Sequence, residues 1–128
     1  IAGNTSFGTQ GLVRDVSTCP TYLDIALPPG QSFYEPLPTD YTAFVFVIDG
    51  PLRICGRTTE KDMLIAAKQL ATLETGDRVH LAAENAPARC LLICGQPLKE
   101  PIARYGPFVM NTREEVLKAA HDFQSGNF

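Results

Sequence analysis

The run Thr42 to Ile48, TAFVFVI, is the most β-prone stretch of the chain, with β-branched and aromatic residues throughout. It stops at Asp49-Gly50, a strong turn signal, and Leu52 to Cys55 reads as its returning partner. The same rhythm recurs along the sequence. Tyr22 to Leu27 alternates as a half-buried strand does and halts at Pro28-Pro29-Gly30. Gln31 to Glu35 ends at Pro36-Leu37-Pro38. Gly76-Asp77 turns the chain into Arg78 to Ala82, and Asn85-Ala86-Pro87 turns it into Ala88 to Ile93. Short strands at this spacing predict a sandwich or a barrel.

One segment breaks the rhythm. In Gly106 to Phe128, Thr112 is a candidate N-cap with Glu115 at capping-box spacing. Glu114 and Glu115 place negative charge in the first turn, where the helix dipole favours it. Val116, Ala120 and Phe123, with Leu117 and Ala119 beside them, form an apolar stripe at helical spacing. Gly126 stands where a helix stops, and Pro107 sets an extended approach to the cap. The segment Glu60 to Glu74 is also rich in helix formers, and propensity alone calls for a second helix there.

The run Gln96 to Phe128 resembles the C-terminal domain of the pirin family. Gly95-Gln96-Pro97-Leu98-Lys99-Glu100-Pro101 matches that family's G-x-P-L-x-E-P segment. Gly106-Pro107-Phe108-Val109-Met110-Asn111-Thr112 matches its G-P-F-V-M-N-T run, followed by a helix and an N-G-x-F-like end. Ile1-Ala2-Gly3, Tyr22-Leu23-Asp24 and Pro29-Gly30 also fall where pirins have them. Pirins are bicupins, and the chain resembles the second half over its whole length. The resemblance implies a mainly β cupin fold, a double-stranded β-helix or jelly-roll barrel, with one C-terminal α-helix. The expected single domain, 1–128, has an arm at 1–20, a barrel at 21–105, and the GPFVMNT segment with its closing helix at 106–128. The resemblance also replaces the helix at 60–74 by a hairpin, with a turn near Lys68-Gln69 and a strand at Leu70 to Leu73.

Size and charge narrow the classes. The 128 residues suit one domain, and the net charge of −3 without a basic block argues against a nucleic-acid surface. The apolar runs are too short to span a bilayer, and no charged-then-apolar leader opens the sequence. The glycine-rich start, with Gly3, Gly8 and Gly11, lacks the lysine-serine pair and helix start of a phosphate loop and reads as a connecting arm. Cys19, Cys55, Cys90 and Cys94 contain no C-x-x-C and read as thiols in a reducing compartment, hence a cytoplasmic protein, or a nuclear one in a eukaryote. Cys90 and Cys94 fall about 13 Å apart on one strand, beyond disulfide reach.

A metal-binding cupin needs a His-x-His pair, a carboxylate shortly after, and a third histidine on a later strand. Alternate residues on a strand face one way, so such ligands converge inside the barrel. Counting from Asp49-Gly50 puts the carboxylate position at Ala43 and the paired positions at Pro36, Leu37, Pro38 or Thr39. Counting from Gly76-Asp77 puts the later histidine near Pro87. None of these is a side-chain metal ligand, so no cofactor is expected in this domain. The resemblance assigns the family's metal to the N-terminal half.

His80 reads as a strand histidine, with a lone acid–base group at the barrel mouth as the sharper alternative. His121 reads as a solvated helix residue. Asp24 and Glu35 could pair as acid and base if they met, although surface carboxylates are the plainer reading. Cys90 and Cys94 alternate with Leu92 as core, with no histidine placed to activate them. Phe33, Tyr34, Phe44 and Phe46 read as core, with pocket lining as the alternative.

No catalytic residue is assigned. The family link is to protein binding, including transcription-cofactor roles, and to quercetin dioxygenase activity. Three classes follow: a metal-free structural and interaction domain, the non-metal half of a dioxygenase, or a metal-free barrel binding a small molecule. An interaction surface is expected at Ile1, Leu12 and Val13 and at Phe108, Val109 and Met110. It would meet an N-terminal cupin half or a second copy of the chain.

Overall fold

Alternation and punctuation set the strands. β1 (Thr21–Leu27) and β2 (Ser32–Pro36) flank Pro28-Pro29-Gly30. β3 (Thr42–Asp49) and β4 (Leu52–Ile54) flank Gly50. β5 (Met63–Ile65), β6 (Leu70–Thr72), β7 (Arg78–Ala82) and β8 (Ala88–Gly95) follow. The computed structural model describes residues 1–13, 17–56 and 62–127. Glu60, Lys61 and Phe128, which figure in the sequence readings, lie outside the described residues, as do arm residues 14–16.

The chain divides into two compact units, Ile1–Pro97 and Leu98–Phe128. The first holds two four-stranded antiparallel sheets, ordered β1-β8-β3-β6 and β2-β7-β4-β5. This is the expected cupin jelly roll. Their facing sides make one core. Val45, Val47, Leu52, Leu81, Cys90 and Leu92 are all inaccessible to solvent. Burial of each large aliphatic side chain contributes about 1.5–3 kcal/mol.

The strand positions follow the sequence, but some partners do not. Asp49-Gly50 does not close a hairpin. β3 is already flanked by β8 and β6, so β4 crosses to the other sheet and pairs with β5 and β7. Pro51 has no N–H to continue a ladder. The segment expected as a hairpin within 60–74 is likewise a corner. β5 and β6 are strands, as the family resemblance implies, but lie in different sheets. The turn between them places Lys68 at φ +66°. Tertiary pairing overrides helix propensity there.

The aromatic residues of β3 are not its core. The inward residues are Ala43, Val45 and Val47, while Phe44 and Phe46 are half-buried on the opposite face. Both faces of that run are apolar, so alternation could not say which points inward. The arm is not a loose connector either. Ala2 is buried and pairs with Tyr22 and Val13.

The strands of the two sheets end at Gly95, earlier than the residue 105 expected for the barrel. In the second unit, β9 (Ala103–Tyr105) and β10 (Phe108–Met110) form a hairpin. The extended approach to the cap expected after Pro107 is strand β10, and its pairing with β9 is the added feature. Helix α1 (Arg113–Gln124) packs on that hairpin. Its capping box is complete: Thr112 Oγ1 accepts from Glu115 N, and Glu115 accepts from Thr112 N. The buried helix residues are Val116 and Ala119, and Leu117 and Phe123 are exposed. Phe123 meets Phe108 edge-on. No helix among the described residues is long and apolar enough to cross a membrane.

Candidate functional site

Two places in the barrel unit gather polar side chains. The first is the foot of β2. Glu35 is only 4% exposed. Its oxygens accept from Ser6 N at 2.7 Å and Ser6 Oγ at 3.1 Å. This charge-assisted pair fastens the arm to the barrel, and Phe7 leans on Phe33 beside it. Glu35 does not meet Asp24. Asp24 stands on β1 in the other sheet and forms a bidentate pair with Arg89, which holds its carboxyl below the usual range. The carboxylate pair considered from sequence is therefore absent, and Glu35 is buried rather than on the surface.

The second place is a cleft of about 400 Å³ lined by residues of β4, β5, β6 and β7 and the turn before β7. Ile54, Met63, Leu73 and Val79 give it apolar walls, and Cys55, Glu74, Arg78 and His80 add polar groups. His80 is opposite Tyr34 in the β2–β7 register. The rings stack with centroids 3.9 Å apart. Nε2 of His80 is buried and has no hydrogen-bond partner among the described residues.

Burial, then the nearby Arg53 and Arg78 guanidinium groups, lower the His80 pKa, while Asp62 opposes them. Arg53 itself is held by Asp62 at 3.1 Å and Glu84 at 3.2 Å. Burial raises the Cys55 thiol, so it stays protonated at neutral pH. Beside the cleft, therefore, the imidazole and the thiol are both neutral, not a nucleophile and its base.

That state of His80 has a measurable consequence. The unfolded imidazole titrates near 6.5 and the folded one lower, so on acidification the unfolded state takes the proton first. The neutral ring's contribution is fully present above pH 6.5 and is lost as pH falls through the lowered value. Urea unfolding at pH 7 and pH 5 is expected to show a smaller loss of stability in His80→Phe than in the natural chain. Equal losses would contradict the geometry.

The remaining sequence candidates separate. Cys90 and Cys94 face the core, and burial raises both thiols, Cys90 to about 12. None of the four cysteines is in a disulfide. Leu12 and Val13 are exposed on the arm of the first unit. In the hairpin of the second unit, Val109 is 56% exposed, whereas Phe108 and Met110 are half-buried. His121 is exposed on α1. Sequence reasoning missed Leu98 and Ile102, exposed ahead of β9. The signal was two aliphatic residues in a segment bounded by prolines.

The positions counted from sequence hold no side-chain metal ligand. Ala43 is buried, Leu37 packs on the core, and Pro36, Pro38, Thr39 and Pro87 are exposed. The buried carboxylate, Glu35, is committed to Ser6. Among the described residues no three of His, Cys, Asp and Glu gather as ligands.

A family model described as the pirin C-terminal cupin domain matches residues 22–128. A pirin-like protein of Caulobacter vibrioides is 38% identical over 128 residues, all of this chain and 44% of that protein. Human pirin is 38% identical over 106 residues, 81% of this chain and 36% of its own length. The crystal structure of a quercetin 2,3-dioxygenase from Acinetobacter baumannii superposes with a TM-score of 0.83 at 31% identity. It covers 98% of this chain and 42% of that one. The chain thus spans less than half the length of these relatives.

Proposed function

The chain belongs to the pirin family, as a C-terminal cupin domain, and on that premise we propose that it is a metal-free structural and protein-interaction half that docks on a second cupin barrel. The observation that carries this reading is the filling of the ligand positions by Pro36, Leu37, Pro38, Thr39, Ala43 and Pro87, with the interior packed by aliphatic side chains. A solid core leaves the barrel its surface to work with. Apolar side chains exposed in the second unit, Leu98, Ile102 and Val109, support docking.

The partner is a sister barrel. More than half of the Caulobacter relative lies outside the matched region, and in a bicupin that remainder supplies the other half. A second copy of the chain, in a two-fold dimer, offers the same chemistry. The working compartment in this reading is the cytoplasm, or the nucleus in a eukaryote. The likeness to the quercetin 2,3-dioxygenase structure favours a second reading, the non-metal half of such an enzyme. There the oxidation belongs to the other barrel, and this domain alone turns over no flavonol.

Tag-free protein, dialysed and analysed for metals, is expected to hold no stoichiometric iron, nickel, copper or manganese. About one ion per chain, bound by its own side chains, would overturn the metal-free reading. Sedimentation at micromolar concentration is expected to show self-association, weakened about tenfold or more by Val109→Asp. A monomer, or a dimer indifferent to that charge, would exclude a second copy as the partner that covers Val109.

A further inference from the structure

We draw no further inference here: the strongest candidate, the apolar outer face of the β1-β8-β3-β6 sheet, where Phe44 and Phe46 stand opposite Ile93 and Leu91, carries none because nothing in the structure shows what covers it.

Discussion

Replacing Gly50 with alanine is expected to destabilise the barrel unit by about 2–5 kcal/mol, the sum of a left-handed backbone penalty and an overpacked contact. Gly50 sits at φ +73°, where L side chains are disfavoured, and a Cβ placed there would lie 2.0 Å from the carbonyl oxygen of Pro87. That oxygen is backbone and cannot swing aside. Gly30 provides the control. It has φ +75° but open space around the Cβ position, so Gly30→Ala should show the backbone penalty alone, about 1–2 kcal/mol. Urea unfolding of both variants reports the difference. Equal losses would mean that the crossing between sheets does not press on Pro87.

Deleting residues 1–11 is expected to cost about 1.5–3 kcal/mol, because it removes the hydrogen bonds that hold a charged carboxylate. Glu35 has both oxygens committed to Ser6, 29 residues away. Without the arm, that charge loses both donors, and water reaches the side that Ser6 covered. Glu35→Leu made in the truncated chain should therefore cost little. The same substitution in the full chain should lower stability, since Ser6 then loses its acceptor. The two changes should therefore couple strongly in a double-mutant cycle. Additive effects would show that the arm is held by its bridges to β1 and not by the Ser6–Glu35 contact.

What the sequence discloses and what it hides divide along a physical line. The positions of β1 to β4, β7 and β8 were legible because alternation and Pro/Gly punctuation are local. The capping box at Thr112 and Glu115 is equally local. Partner choice is not: nothing in Asp49-Gly50 says that both edges of β3 are taken by β6 and β8. The β9–β10 hairpin did have a signal, the turn dipeptide Gly106-Pro107, but it stands beside the stronger helix cap. At the candidate site, His80 could be placed on a strand. Its stack on Tyr34, its unpartnered nitrogen and the hold of Ser6 on Glu35 all join distant residues, and no local pattern marks them.

β8 lies between β1 and β3, bonded to both along almost its full length. It is also the last strand of its sheet to be synthesised. Until it emerges, β1 and β3 have no common neighbour, and Val45 and Val47 have no opposing Leu92 and Cys90. The sheet cannot assemble progressively as the polypeptide grows. Closure waits for one late, long-range pairing, which makes folding slow and leaves unpaired edges open to other chains meanwhile. The hairpin and helix that follow need only residues close in sequence and can form without that delay. Slow refolding with a concentration-dependent loss of yield is therefore the kinetic signature of this strand order.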